Sequence, residues 1–195
     1  AAIEELKDSG SNKGGLCNYE DGKDYYEYLV RYSTGSSDSI KDLQKQVEQK
    51  RKEDLLQLSE LLTKNPILAK ESESYQLDTS DPSQILAQLK ETIKKDFPEA
   101  PDANFTVKYV DEALEDYLSP AFYLTSPIDD YKENSIYINE GSHYEKMKLF
   151  TTLAHEGFPG HMYQYAYMYE NVGSNYIKAL SNISAYTEGY AVYAQ

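Results

Sequence analysis

The chain has 195 residues with 19 Lys+Arg against 33 Asp+Glu, a net charge of −14, one cysteine and three histidines. That charge disfavours nucleic acid and anionic membrane surfaces, both of which select basic patches, and no run approaches the ~20 apolar residues of a membrane span. Cys17 stands alone, which excludes an internal disulfide. The length suits one domain or two small ones, and nothing in the composition sets an oligomeric state. The chain opens on Ala1-Ala2-Ile3 without Met or a signal peptide and stops at Tyr193-Ala194-Gln195 within an apolar helical pattern. We therefore expect a piece of a longer protein, whose compartment this N-terminus does not reveal.

Residues 1–8 read as the end of a helix and Ser9 to Gly15 as a loop. Asp21 to Ser33 forms a short amphipathic helix with Tyr25, Leu29 and Tyr32 at helical spacing. After Gly35-Ser36-Ser37, Ser39 opens a long helix with Asp42 in a weak capping box. Ile40, Leu43, Val47, Leu55, Leu58 and Leu62 keep its rhythm to about Lys64, where Asn65-Pro66 ends it. Its middle, Gln44 to Asp54, is nearly all polar, as expected of a solvated strut. Asp78 to Pro82 signals the next helix, with Pro82 at the first helical position and Gln84 completing a box. Ile85, Leu86, Leu89, Ile93 and Phe97 form its buried stripe, and Pro98 stops it.

The period then changes to two. Phe105, Val107 and Tyr109 alternate with polar residues in a half-buried strand, with further strands at Phe122-Tyr123-Leu124 and Ser135 to Asn139, the last after a turn at Pro127 to Asp130. Ser142 and Glu145 cap a helix that turns Met147, Phe150, Leu153 and Ala154 inward and ends on His155-Glu156. Helical pieces follow from about Gly160 to Tyr169 and from Tyr176 to Gln195, separated by a loop at Asn171 to Asn175. The expected fold is mainly α, of α+β type. A helical region with a strut lies over 1–100 and a small sheet with the site-bearing helices over 101–195, together one structural unit.

The chemistry concentrates in His155-Glu156-Gly157-Phe158-Pro159-Gly160-His161, which holds two of the three histidines. Neutral imidazole is the commonest protein ligand for zinc, and a neighbouring glutamate can act as base on a water held there. The pattern follows the logic of H-E-x-x-H, with a longer gap. On an unbroken helix, positions i and i+6 point about 120° apart and lie about 9 Å apart along the axis. Pro159 cannot donate to the carbonyl of His155, and Gly160 adds backbone freedom, so we expect a bulge or break that brings the rings together. A third ligand could be Glu170, Glu188 or His143. Glu188 stands out because it lies on a separate helix among small and aromatic residues, where an unpaired carboxylate is costly. Gln164, three residues after His161, suits hydrogen bonding to the ligands or to solvent. No G-x-S-x-G elbow or phosphate-binding glycine loop occurs, and Cys17 has no neighbouring histidine.

His155 to Gln164 (H-E-G-F-P-G-H-M-Y-Q) and Glu188 to Tyr193 (E-G-Y-A-V-Y) resemble the two signature blocks, H-E-x-x-P-G-H-x-x-Q and E-G-W-A-x-Y, of a bacterial family of uncharacterised domains, DUF 885. Asp21 to Tyr26 and Arg31 to Thr34 resemble its upstream pattern, so the likeness spans roughly 17–195. That family in turn resembles gluzincin zinc peptidases such as carboxypeptidase Taq, thimet oligopeptidase and angiotensin-converting enzyme, which are mostly helical with a small sheet beside the active-site helix. The resemblance implies a zinc site of His155, His161 and Glu188 with Glu156 as catalytic base, acting on peptide substrates. Gln164, Tyr190, Ile138 and Asn139 would support the ligands or touch substrate, with the strand Ser135 to Asn139 holding peptide backbone by strand addition. Tyr190 stands where the family has Trp. Family members run to several hundred residues, so transition-state donors would lie beyond this chain and its own activity would be weak or nil. The resemblance also implies a bacterial protein placed outside the cytoplasm or anchored as a lipoprotein. The alternatives are a non-catalytic peptide-binding or scaffold module, or metal-dependent hydrolysis of a non-peptide amide.

Overall fold

A computed structural model of the chain describes residues 4, 14–74, 77–127, 130, 132–141, 146–172 and 183–195. The expected helix end before residue 9, the turn at Ile128-Asp129, the cap at Ser142 and Glu145, His143, the loop centred on Gly173 and the start of the last helix at Tyr176 lie outside the described residues. The side chain of Met147 does as well. The chain falls into two compact units, Ala1–Ser59 and Glu60–Gln195.

In the first unit a 3-10 turn at Leu16–Asn18 precedes helix α1, Gly22–Thr34. Gly35 ends α1 at φ 66, a left-handed conformation that glycine adopts freely, and its N–H bonds to the Arg31 carbonyl. Tyr25, Tyr28 and Tyr32 stack on one another along an exposed face, with successive ring centroids 6.2 Å apart. The tyrosines of the expected amphipathic stripe thus stay exposed. Ser39 starts α2, Ile40–Lys64, accepting from the Asp42 N–H at 3.2 Å. This helix has no buried residue, so its apolar rhythm is not matched by a core. Ion pairs one turn apart run along it instead: Lys45–Asp42 at 3.2 Å, Lys52–Glu48 at 2.8 Å and Lys50–Asp54 at 2.7 Å.

In the second unit Asn65-Pro66 ends α2 as expected, but Pro66 also begins a new helix, α3 (Pro66–Ser74), because proline suits a first helical turn. Helix α4, Pro82–Thr92, starts where its signals place it: the Asp81 carboxylate accepts from the Gln84 N–H at 2.9 Å. Its stripe of Ile85, Leu86, Leu89 and Ile93 is buried. Three strands follow, β1 (Asn104–Tyr109), β2 (Ala121–Leu124) and β3 (Glu133–Ile138), with a 3-10 segment at Glu112–Tyr117 between the first two. The sheet order is β1-β3-β2; β3 runs parallel to β1 (Val107 beside Ile136) and antiparallel to β2 (Tyr123 beside Ile136). Helices α5 (Lys146–Glu156), α6 (His161–Val172) and α7 (Ser184–Ala194) complete the unit. Ile85 and Leu86 of α4, Ile136 of β3, Leu153 of α5, Phe158 of the segment after it and Met162 of α6 share one buried cluster. Helix α4 therefore packs with the sheet and the site-bearing helices.

The topology overturns one expectation. β3 lies in the middle of the sheet with its backbone paired on both sides, so it has no edge to offer a peptide. The Ile138 side chain is in the core. Asn139 is fully buried and ties loops together, donating to the carbonyls of Glu115 at 2.8 Å and Leu118 at 2.9 Å and accepting from the Gly141 N–H at 3.1 Å. Neither residue touches substrate from there. Helix predominates over the small sheet, and no helix among the described residues is long and apolar enough to cross a membrane.

Candidate functional site

The site is built on the corner between α5 and α6. Leu153 and Phe158 are buried on either side of it, and the Phe158 ring meets Phe105 edge-on at 5.9 Å. Helix α5 stops at Glu156; the Gly157 N–H closes on Leu153 O at 2.8 Å, and the Gly160 N–H reaches back to Ala154 O at 2.9 Å. Helix α6 then starts on His161, with Gln164 N bonded to Gly160 O at 2.9 Å. The helix is thus broken into two pieces rather than bulged, and the Phe158–Pro159 peptide is cis. Both glycines answer to crowding more than to backbone freedom. A Cβ on Gly160 would collide with the carbonyl of His155, and one on Gly157 with the Leu86 side chain.

The corner brings the two imidazoles together, with ring centroids 4.8 Å apart and planes at 89°. Helix α7 supplies the third group: Glu188 Oε2 lies 3.3 Å from His155 Nε2 and 3.5 Å from His161 Nε2. The histidines are largely buried, at 18% and 12% exposed, but the Glu188 side chain is 59% exposed. The expectation of a costly buried carboxylate at Glu188 is therefore corrected; its position between two imidazoles marks it. Tyr190, two residues on, donates from its hydroxyl to Pro159 O at 2.9 Å and so fastens α7 to the corner. Burial pushes the Tyr190 phenol up to about 12.

Glu156 completes the cluster from the other side. Its Oε2 accepts from the backbone N–H of Tyr123 at 2.9 Å. Burial pushes its carboxyl above the usual carboxylate range and Glu188 adds to the rise, while the Tyr123 N–H and the two imidazoles oppose it. The Tyr123 hydroxyl donates to Asn134 Oδ1 of β3 at 2.7 Å, which ties β2 to its sheet neighbour. His155, Glu156 and His161 present donor atoms all within 4.8 Å of one another, so the group can hold a metal ion. They open into a cavity of about 400 Å³ lined also by Ser119, Phe122, Thr125, Tyr165, Thr187 and Glu188.

Of the other residues singled out in the sequence, Glu170 is exposed at the far end of α6, and Gln164 lines a different cavity. Tyr165 and Tyr123 went unnoticed. Tyr165 is four residues after His161 and so shares its face of α6, a relation the spacing carries. The Tyr123 contact spans 33 residues and two elements, and no local pattern encodes it.

The crystal structure of a "putative lipoprotein" from Colwellia psychrerythraea has a similar fold, with TM-score 0.70 and 20% identity, over 99% of this chain and 37% of that one. The chain therefore spans well under half of that protein's length. No curated protein matches it significantly. The sequence model of a family described as "bacterial protein of unknown function (DUF885)" matches residues 2–195, essentially from end to end, and the chain belongs to that family.

Proposed function

We propose that the chain carries the metal-binding and proton-transfer residues of a zinc-dependent peptidase, with His155, His161 and Glu188 as ligands and Glu156 as general base. The observation that carries this reading is the placing of Glu188 Oε2 at 3.3 and 3.5 Å from the two imidazole nitrogens. Tetrahedral zinc with ligands at about 2.0–2.2 Å sets neighbouring donor atoms about 3.3–3.6 Å apart. Glu156 also neighbours the histidines, but its Oε2 is already engaged by the Tyr123 N–H, and its burial suits proton transfer better than ligation. Zinc bound there would act as a Lewis acid on a peptide carbonyl and lower the pKa of a water.

The chain's own residues do the rest. Glu156, its carboxyl held above the usual range by burial, takes the proton of the attacking water and passes it to the leaving nitrogen. The Tyr123 N–H holds the carboxylate in place for both transfers. Substrate backbone has an edge at β2 instead of β3. Because Asn139 N bonds to Pro120 O, the alternation of an antiparallel pair turns the carbonyls of Ala121 and Tyr123 away from β3, toward the cavity side. An extended peptide can donate to them. The Colwellia protein is described as a putative lipoprotein, which supports a place outside the cytoplasm for this one.

Metal analysis and peptide digestion with the full-length protein test the reading. Glu156→Gln should keep near-stoichiometric zinc and lose on the order of 10²-fold or more in turnover. His161→Ala and Glu188→Ala should lose zinc at micromolar concentrations. Full zinc in Glu188→Ala would reassign the third ligand, and a wild-type protein that takes up no zinc would end the proposal.

A further inference from the structure

A row of side chains crosses all three strands of the sheet in register: Lys108 of β1 lies beside Tyr137 of β3, and Tyr137 beside Phe122 of β2. All three turn away from the core, because their strand neighbours Val107, Ile136, Ile138, Ala121 and Tyr123 pack into it. The Phe122 and Tyr137 rings stack, with centroids 5.2 Å apart and planes at 5°, and Lys108 Nζ lies 5.7 Å from the centre of the Tyr137 ring. Lys108 is exposed and both rings are half-buried, so solvent reaches the row. Its last member, Phe122, also lines the cavity that holds His155, Glu156, His161 and Glu188. Beyond Phe122 lies the free edge of β2, where the carbonyls of Ala121 and Tyr123 point outward.

We propose that the peptide substrate supplies the next member of this row, and that the member is an aromatic side chain. A peptide that runs antiparallel to β2 and donates to the carbonyls of Ala121 and Tyr123 sets the residue between its two donors opposite Phe122. That place is the closely spaced one of an antiparallel pair, about 4.5 Å between Cα atoms, and its side chain falls on the outer face beside the Phe122 ring. An aromatic ring there packs on Phe122 as Phe122 packs on Tyr137, and such pairs gain more than the buried area alone gives. An aliphatic side chain covers the ring without that gain, and alanine leaves most of it in water. The continuity of Phe122 with the cavity of the histidines makes the row part of the proposed peptidase, and the word "substrate" rests on that reading.

The test uses binding, which needs neither metal nor hydrolysis. End-blocked alanine pentapeptides with phenylalanine, leucine or alanine at the centre are titrated into the full-length protein in chelator and followed by ligand-observed NMR. The phenylalanine peptide should bind about threefold or more tightly than the leucine one, the scale of an aromatic pair, and the alanine one most weakly. Phe122→Leu keeps an apolar residue in the strand and should abolish the preference for phenylalanine over leucine. A benzoylphenylalanine guest at the same position should photolabel β2 or β3. Equal affinity for the phenylalanine and leucine peptides, no binding of any at millimolar concentration, an unchanged preference in Phe122→Leu, or a label outside β2 and β3 would each overturn the proposal. If the variant does not fold, the wild-type affinities and the label decide. Zinc uptake and hydrolysis without aromatic selectivity would defeat this inference only. Aromatic selectivity with the expected label, but without zinc or hydrolysis, would instead defeat the peptidase reading.

Discussion

Helix α2 and the α5–α6 pair occupy similar lengths of chain and are held in opposite ways. The 25 residues of α2 bury nothing and carry ion pairs along their exposed surface. Between Lys146 and Val172 the chain instead buries Leu149, Leu153, Phe158, Met162 and Tyr163 around a corner with no room for a Cβ at Gly157 or Gly160. Charge pairs keep a helix helical, but they do not fix which way a side chain faces to a fraction of an ångström. Packing does, and the histidines sit where packing leaves the backbone no alternative.

The widest gap between the two regions should appear in Phe158→Ala. Its ring is nearly inaccessible, and truncation should cost about 3–5 kcal/mol in denaturant unfolding. A loss below about 1 kcal/mol would mean the corner is not held by its core. Gly160→Ala comes next, since its methyl must displace the His155 carbonyl. It should cost about 1–3 kcal/mol, the range of overpacked sites, and lower zinc uptake with it; a neutral result would show that the corner yields.

Tyr123→Phe should cost about 1 kcal/mol at neutral pH through the lost bond to Asn134. It also has a pH signature. Burial raises the phenol above its ordinary 10.0, so above about pH 10 the unfolded chain ionises this group before the folded one does. Its contribution is therefore complete below pH 10 and falls as pH rises beyond it, and the Phe variant should show a shallower alkaline loss. Equal slopes in the two proteins would contradict the assignment. Leu55→Ala on the half-exposed surface of α2 should change stability by no more than about 0.5 kcal/mol. A core-sized loss there would erase the contrast.

What could be read from the sequence divides along the same physical line. Asp81-Pro82 and Ser39 set helix starts through local hydrogen bonds, and the alternation at Phe105-Val107-Tyr109 marks a strand, because each signal acts within a few residues. The histidine pair was legible for the same reason, since Pro159 and Gly160 lie between its members. Strand order was not, and with it the identity of the open edge, because a parallel pairing of β1 with β3 depends on what lies between them. Helix α3 was missed because Pro66 reads equally as a stop and a start. The exposure of Glu188 could not be read from its small neighbours, since helix neighbours in sequence point to different sides.

The hydrogen bond from Tyr123 to Glu156 has a consequence for register. Along the free edge of β2 one rung is already taken, and it is a donor rung. A peptide added to that edge would face the carbonyls of Ala121 and Tyr123 but would find the Tyr123 donor engaged, so a fully paired ladder would not form. Under the proposed function, Glu156 would thereby serve as base and also as a stop on the strand edge along which a peptide would align.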